Sequence, residues 1–473
     1  MRRLLFLVLL LVASCANPYS PMDMPPAPRP NGDSEIISYI DKRLEEEYYW
    51  LDEVKQKSKQ FDRRQPWDKY LNKALSKLTT NSDDGGFNSQ GQRTYYSYFY
   101  ELGSTTRAEV QGLGIVLHYT ILIMDSDRGR YGFVVDAVYP DSPADKAGLK
   151  RGDIIIKVGG AYLDSSNYVA SFNGIQLNTM PVARIEYMRR SEQDEQQSVT
   201  LSQGAYHENP VVHSEIIELS DSDIKIGYLV YMGFESEYDE VLLAALSEFA
   251  ATGIEELILD LRCNRGGAIN SAVKLCSAIV PNSYEGQLWC SIRRNKNNSK
   301  MPLSSEFRLQ NTGSILNMSR VTIICSDCSA SASELVIMGL RGLEFPVRLI
   351  GARTEGKNCG MDVTRKRIGG KDYEYAPITF MCFNAKGFGD WGEGIEPDVD
   401  LTIENKYGVS DEHYPLPYAD WGDMHHDIAL AVALADVTGS GISSTTRSVV
   451  DDDFVTTITM ARPVAGAKIY VEE

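Results

Sequence analysis

Three short segments contain residue types that could carry chemistry. Segment 260–267 ends in paired glycines, segment 329–334 has three serines alternating with alanines before a glutamate, and segment 351–357 ends in a lysine. A serine becomes an effective nucleophile only when a base removes its proton, and a lysine can be that base only when its pKa is lowered. Each segment also has an ordinary interpretation, as a turn, a helix cap or a surface loop.

Strands and helices alternate around these segments. Apolar runs predict buried strands, and apolar residues at helical spacing predict helices. The predicted strands are 226–230, 257–261, 321–324 and 347–350, and the predicted helices are 242–249, one opening at Gly267, 333–340 and about 427–437. Alternation of this kind indicates α/β layers. We assign this unit to residues 205–435.

Residues 106–204 are predicted to form a separate β-rich module. Its motif residues are Gly112, Leu113, Gly114 and Ile115, followed by Ala-Gly-Leu at 147–149 and Gly-Asp-Ile at 152–154. In this order they resemble a PDZ domain, and the resemblance makes 112–115 its carboxylate-binding loop. Backbone N–H groups of a glycine-rich turn bind anions, and the adjoining strand edge accepts a peptide. A β-module without peptide binding is the alternative.

The three segments, in this order, resemble those of the C-terminal-processing, or tail-specific, protease family. The run Gly-Ile-Glu-Pro-Asp-Val at 394–399 is a further match, and the PDZ-like module agrees with it. The resemblance implies an α/β core like that of the Clp protease and crotonase superfamily, with an embedded β-rich PDZ domain and a small helical N-terminal segment. It implies a serine endopeptidase with no metal or organic cofactor, in which Ser331 is the nucleophile and Lys357 the general base.

Elementary physical chemistry supports these two roles. A lysine with the ordinary pKa of about 10.4 is protonated at neutral pH and cannot accept a proton. Lowering that pKa to about 7 corresponds to roughly 4.6 kcal/mol, which burial among apolar neighbours can supply. The apolar strand 347–350 and helix 335–340 are suitable neighbours. Glu355 is the nearest acidic residue, and we expect its side chain to point away from Lys357.

The negative charge that forms during acyl transfer needs backbone donors beside Ser331. A helix is predicted to begin there, and its free N–H groups favour negative charge, which makes the N–H of Ala332 one expected donor. The second is expected at Gly266 or Gly267, where the missing Cβ permits close approach. The resemblance gives Glu334 a supporting role, and a carboxylate that only balances the helix dipole is the alternative.

Two residues depart from the family pattern. Many members have glutamine four residues after the lysine, where it orients the amine, and this chain has Met361. Another group must position Lys357 if activity is to be retained, and Asn358 and Glu334 are the candidates. Arg265 stands where the family often has proline, a position that shapes a loop.

Two other functions stay open. One is a weakly active or inactive peptide-binding protein on the same scaffold, a PDZ adaptor, which Met361 favours and the presence of both serine and lysine opposes. The other is a thiol oxidoreductase that uses Cys325 and Cys328, which have C-x-x-C spacing. Structural thiols or a disulfide are the preferred interpretation of that pair. Cys359 is expected to be a packing residue.

The N-terminus resembles an export signal with a lipid anchor. The apolar run 4–12 is too short to span a bilayer, and residues 1–14 are assigned to a signal peptide. The small residues before Cys15 resemble a bacterial lipobox, so Cys15 is the expected lipidation site, and the proline-rich residues 15–33 are assigned to an extended tether. A plain signal peptide is the alternative. Ala16 after the cysteine implies, by the same resemblance, the outer membrane, facing the periplasm.

Composition limits the remaining possibilities. The chain has 473 residues, a formal net charge of −18 and a mean hydropathy of −0.25. The acidity argues against a nucleic-acid binder, which needs a basic face, and the hydropathy excludes a polytopic membrane protein. The length suits several domains, and we assign 34–105 to a helical N-terminal domain and 436–473 to a C-terminal β extension. The expected partners are a protein or peptide substrate and, through the lipid anchor only, a membrane.

Overall fold

A computed structural model describes residues 31–86, 93–102, 110–189, 195–220, 222–313, 316–411, 414–417, 419–440, 457–459 and 468–470. The assigned signal peptide, Cys15 and most of the assigned tether lie outside these ranges. Within the described ranges, helices are too short or too polar to cross a membrane.

The N-terminal segment is helical and then extended. Its elements are α1 (Asn31–Glu47), α2 (Leu51–Lys57), α3 (Trp67–Leu75) and β1 (Tyr98–Glu101). Helix α1 begins at Asn31, so the end of the assigned tether is helical, and Asp33 in its first turn complements the helix dipole. The apolar faces of these helices pack in one cluster with Ala330 and Cys359. The segment therefore shares a core with residues next to Ser331 and Lys357.

The next unit is the β-rich module that the sequence predicts. Its elements are β2 (Val110–Gly112), β3 (Ile115–Asp125), β4 (Arg130–Val138), α4 (Pro143–Lys146), β5 (Ile154–Val158), β6 (Ala161–Tyr162), α5 (Tyr168–Gln176), β7 (Val182–Arg189), β8 (Glu195–Ser202) and β9 (Gly204–Tyr206). The main antiparallel sheet has the order β3–β4–β5–β7–β8. Helix α5 packs on β3, where the rings of Tyr119 and Phe172 lie 5.7 Å apart. The Leu117 N–H of β3 also donates to Gln176 Oε1, at the end of α5, at 2.8 Å.

The largest unit is an α/β core. Its elements are β10 (Val211–Glu218), β11 (Lys225–Tyr231), α6 (Asp239–Thr252), β12 (Glu256–Asp260), β13 (Gly266–Ala268), α7 (Ile269–Ile279), β14 (Leu288–Arg294), β15 (Ser304–Arg308), β16 (Val321–Cys325), α8 (Ala332–Gly342), β17 (Val347–Gly351), β18 (Cys359–Met361), β19 (Thr364–Ile368), β20 (Lys371–Ala376), β21 (Ile378–Asn384), β22 (Val399–Asp400) and α9 (Ile428–Thr438). One sheet has the order β10–β11–β12–β16–β17–β22, and it is parallel from β11 onward.

Helices cover both faces of this parallel sheet. Successive strand residues point to opposite faces: Leu257 and Leu259 pack with α6, α7 and α8, while Ile258 packs with α9. The layered α/β architecture expected from the sequence is confirmed. The prediction that a helix opens at Gly267 is wrong by two residues: residues 266–268 form β13, and α7 begins at Ile269.

The reason for this difference is a backbone contact with Phe234. The N–H of Phe234 donates to the Gly266 carbonyl at 3.0 Å, and the N–H of Ala268 donates to the Phe234 carbonyl at 2.7 Å. Gly267 has φ +144°, and a Cβ there would lie 2.2 Å from the Phe234 oxygen. This close approach requires glycine, and it extends the chain before the helix can start.

The C-terminal β extension contains β23 (Thr457–Thr459) and β24 (Lys468–Tyr470). In the described residues they pair with other strands: β23 joins β3 at the edge of the β-rich module. Strand β24 joins a second core sheet, whose order is β13–β24–β18–β21–β14–β15. Helix α9 continues to Thr438, so the extension begins slightly later than residue 436.

Candidate active site

The three chemistry-bearing segments meet at one edge of the parallel sheet. Strands β12, β16 and β17 are neighbours and run in the same direction. The loops that follow them, 261–265, 326–331 and 352–357, therefore leave from the same edge. Ligand sites of open α/β sheets form at this carboxyl edge. The three segments, which are separated in the sequence, leave the sheet side by side here.

Ser331 is the residue immediately before α8, and its backbone is strained. It has φ +67° and ψ −116°, a conformation that costs a non-glycine residue about 1–3 kcal/mol. Its Oγ is buried and has no hydrogen-bond partner among the described residues. The serines on either side differ: Ser329 Oγ donates to the Leu261 carbonyl at 2.8 Å, and Ser333 Oγ to the Asn264 carbonyl at 2.9 Å. Of the three serines in segment 329–334, Ser331 is therefore the one whose hydroxyl is not already bound to a backbone carbonyl.

Glu334 joins the serine loop to the lysine loop. One carboxylate oxygen accepts from Thr354 Oγ1 at 2.6 Å and from the Gly356 N–H at 2.7 Å. The other accepts from the Ser331 N–H and the Lys357 N–H, both at 2.8 Å. Burial raises the pKa of Glu334 to about 7, although these hydrogen bonds act in the opposite direction. Glu334 is therefore a positioning residue, with a larger role than balancing a helix dipole.

Lys357 is fully buried, as the sequence argument requires. Removal from water lowers the pKa of its ammonium group from the ordinary value of 10.5 to about 8. Its Nζ lies 4.7 Å from the centroid of the Tyr96 ring, which comes from the N-terminal segment. The sequence offers no sign of this contact, because Tyr96 is one of 26 tyrosines and lies far from the motifs.

Arg265 and Glu355 form an ion pair beside Lys357. The guanidinium lies 3.3 Å from the Glu355 carboxylate, which also accepts a hydrogen bond from the Tyr96 hydroxyl at 3.5 Å. The positive charge of Arg265 lowers the pKa of Lys357, and the negative charge of Glu355 raises it. The sequence marks Arg265 only as a loop-shaping difference and gives no sign of this electrostatic role.

This ion pair makes two opposite pH effects testable. If neutral Lys357 is the base, kcat/KM for peptide cleavage should rise with pH along a limb centred near 8. We expect Glu355→Gln to move that limb to lower pH and Arg265→Gln to move it to higher pH. The check is a pH profile of kcat/KM, with Glu344→Gln, which removes an exposed carboxylate paired with Lys386, as the control that shifts nothing. Shifts of equal sign in both variants would contradict the assignment of Lys357 as base.

The predicted oxyanion donors are partly corrected by the structure. The N–H of Gly266 donates to Asn264 Oδ1 at 2.8 Å, so it is not directed at a substrate. Gly267, the next residue of β13, is therefore the remaining candidate for the second oxyanion donor. Ala332, the first residue of α8, stays the other predicted donor, since the first N–H groups of a helix have no acceptor within it.

Asn358 and Glu334, the two candidates for positioning Lys357, make different contacts from each other and from Met361. Met361 is buried in β18 and packs in the cluster shared with the N-terminal helices. Asn358 Nδ2 donates to the Gly389 carbonyl at 2.6 Å and so anchors a different loop. Glu334 accepts a hydrogen bond from the backbone N–H of Lys357 and so positions the residue through its main chain.

The cysteines are structural thiols. None of the seven described cysteines is joined in a disulfide. Cys325 is fully buried, its Sγ lies 3.2 Å from the Ala352 carbonyl, and burial raises the pKa of its thiol. Burial also raises the pKa of Cys359, the expected packing residue. Cys325 and Cys328 are both buried, whereas a redox cysteine needs an accessible thiol of lowered pKa, so the structure does not support the thiol oxidoreductase interpretation.

The predicted carboxylate-binding loop, formed by Gly112, Leu113, Gly114 and Ile115, joins β2 to β3. Gly114 has φ +80°, and a Cβ there would lie 2.1 Å from Ser142 Cβ. The Leu113 N–H donates to Asn178 Oδ1 at 3.1 Å. The side-chain oxygen of Asn178 therefore occupies the Leu113 N–H, one of the donors that the predicted carboxylate site would use.

Comparison with known proteins agrees with this arrangement. Residues 225–401 match the profile described as peptidase family S41, and residues 134–172 match that of the PDZ domain. These matches identify a region similar to S41 peptidases and a region similar to PDZ domains. The S41 match ends just past β22 and includes Ser331, Glu334 and Lys357.

Curated relatives and a solved structure resemble parts of the chain. A probable CtpA-like serine protease of Staphylococcus epidermidis is 24% identical over 266 residues, covering 55% of this chain and 49% of the relative. One of Staphylococcus aureus is 24% identical over 264 residues, covering 55% and 48%. The chain thus spans about half the length of these relatives. The crystal structure of a putative S41 protease from Bacteroides fragilis is 21% identical, covers 85% of this chain and 97% of its own, and has a TM-score of 0.66, which shows the shared fold.

Proposed function

We propose that this chain is a serine endopeptidase that uses Ser331 as nucleophile and Lys357 as general base. The observation that carries the proposal is the single buried carboxylate of Glu334, which binds the backbone N–H groups of both residues. It holds an unpartnered serine hydroxyl and a lysine with a pKa of about 8 in one buried site.

The proposed reaction has two stages. Neutral Lys357 removes the proton of Ser331 as Oγ attacks the scissile carbonyl, and the N–H groups of Ala332 and Gly267 stabilise the negative oxygen. The protonated lysine then donates to the leaving amine, which leaves an acyl-enzyme. Water, deprotonated by Lys357, then attacks the acyl carbonyl, the bond from that carbon to Ser331 Oγ breaks, and Lys357 returns the proton to Oγ. Glu334 keeps both loops in place and takes no proton in this scheme.

We propose that the PDZ domain captures the tail of a protein substrate. Among strands β2–β9 of the module, β3 is the outermost on one side of the main sheet, where the C-terminal strand β23 pairs with it. An outer strand of this kind binds an extended peptide through backbone hydrogen bonds. From Cys15 and the small residues before it, we also propose that the enzyme is anchored by a lipid in the cell envelope, at the outer membrane and facing the periplasm. Metabolic labelling with a palmitate analogue, lost in Cys15→Ala, is the direct check of the anchor.

A serine-directed phosphonate probe tests the proposed activity. We expect the intact protein to cleave an unfolded model protein and the probe to label Ser331, located by peptide mass spectrometry. Ser329 and Ser333 are internal controls in the same peptide, because their hydroxyls are bound to backbone carbonyls and should stay unlabelled. Peptide binding without cleavage or labelling would instead support the inactive PDZ adaptor.

A further inference from the structure

The two terminal strands lie where an extended peptide would bind. Strand β23 runs antiparallel to β3, with Thr457 opposite Leu122, Ile458 opposite Ile121 and Thr459 opposite Thr120. It occupies the edge of β3, the strand that follows the glycine-rich loop. Addition of a strand to such an edge is the mode by which PDZ domains hold peptides.

Strand β24 lies between the two elements that flank the site. It is parallel to β13, with Lys468 opposite Gly266 and Ile469 opposite Gly267, and it is also parallel to β18, where Tyr470 is opposite Met361. Strand β13 contains the remaining predicted oxyanion glycine, and β18 begins two residues after Lys357. Strand β24 therefore lies between the strand that contains Gly267 and the strand that follows Lys357.

Both chemical groups are closed to solvent in this arrangement. Ser331 and Lys357 have no exposed surface, and Ser331 Oγ is buried with no hydrogen-bond partner among the described residues. A protein substrate cannot reach a nucleophile in this state. Some part of the structure must move away before cleavage.

We propose that the C-terminal strands β23 and β24 occupy the substrate path of their own chain and hold the peptidase in a closed, self-inhibited state. Both strands belong to the C-terminal part of the chain, and Lys468 follows Thr459 by nine residues in the sequence. The proposal rests on the proposed function. A substrate tail displaces β23 from its pairing with β3, and it displaces β24 from its position between β13 and β18.

The first test uses the full chain with prolines at Ile458 and Ile469. Proline has no N–H and is disfavoured inside a strand, so each substitution disrupts one strand through the backbone alone. Ile458→Val with Ile469→Val is the matched control. Since a tethered competitor acts at an effective concentration near millimolar, we expect kcat/KM of the proline chain to rise by about tenfold or more, with kcat nearly unchanged. Equal kcat/KM in both chains overturns the proposal.

A second test needs no activity. In the Ser331→Ala background, we expect a fluorescent peptide of residues 457–470 to bind the proline chain at least about tenfold more tightly than the valine chain, and a scrambled peptide to bind neither. Equal binding overturns the proposal. If binding follows this pattern but neither chain cleaves protein, self-occupancy stands and the proposed function fails.

Hydrogen exchange and intact mass on the unaltered chain complete the experiment. The backbone amides of β23 and β24 should exchange slowly, and addition of a substrate protein should speed their exchange. Exchange at solvent rates overturns the proposal and is independent of whether the proline variants fold. Rapid loss of the C-terminal segment from the wild type, absent in Ser331→Ala, would also overturn it by making the segment a substrate.

Discussion

Replacing Ser331 with alanine should lower kcat/KM for an unfolded model protein by at least about 10³-fold, because no other hydroxyl of the loop is available to form the acyl-enzyme. Ser329 and Ser333 are committed to backbone carbonyls and cannot substitute for it. The measurement is single-turnover cleavage followed by mass spectrometry of the products. Activity within tenfold of the wild type would show that Ser331 is not the nucleophile.

The strained backbone of Ser331 provides a control for this variant. Alanine keeps the unfavourable φ of +67°, whereas glycine adopts it at little cost. Ser331→Gly and Ser331→Ala should therefore be equally inactive, while the glycine chain should be more stable by about 1 kcal/mol in urea unfolding. Equal stability of the two chains would show that the strain is not expressed in the free energy of unfolding.

Replacing Lys357 with methionine should abolish cleavage and, near neutral pH, increase stability. The methionine cannot accept the serine proton, so we expect a loss of at least about 10³-fold in kcat/KM. Methionine has nearly the same length and is apolar, and it fits the fully buried position without a charge to desolvate. The paired readouts are single-turnover cleavage and the free energy of unfolding in urea.

The sign of the stability change follows from the lowered pKa. Lys357 holds its proton less tightly in the native state, with a pKa of about 8, than in the unfolded chain. The full cost, about 3 kcal/mol at about 1.36 kcal/mol per pKa step, is present below pH 8 and disappears as the pH rises toward 10.5. Lys357→Met should thus gain up to about 3 kcal/mol at pH 7 and little at pH 10.

An exposed lysine serves as the comparison. Lys386 is more than half exposed and paired with Glu344 at the surface. Lys386→Met should change stability by less than about 0.5 kcal/mol at either pH and leave cleavage unaffected. If Lys357→Met is no more stable than Lys386→Met at pH 7, the cost assigned to burying the lysine is wrong.

The three loops of the candidate site could be predicted because each one is a short contiguous motif at the end of a buried strand. Ser331, Glu334 and Lys357 lie in such motifs, and adjacent parallel strands bring the motifs together. The sequence could not decide whether Gly266 or Gly267 is the second oxyanion donor. Its N–H is taken by the side chain of Asn264, a contact that depends on a rotamer and not on a sequence pattern.

Contacts between distant segments were not predictable. Tyr96 reaches Lys357 because the N-terminal segment packs on the second core sheet, and Arg265 reaches Glu355 because their loops meet at the sheet edge. These residues have no local pattern that distinguishes them from other tyrosines and arginines. The pKa of Lys357 therefore depends on groups that only the packed structure identifies.

The sequence by itself determined the α/β class, the embedded PDZ module and the serine, glutamate and lysine of the site, since periodicity and short motifs are local properties of the chain. The tertiary structure alone decided which charges surround the lysine and where β23 and β24 insert. Those strands have three residues each, and their partners lie more than 100 residues away. Backbone hydrogen bonds pair them without requiring particular side chains, so the pairing leaves almost no mark in the sequence.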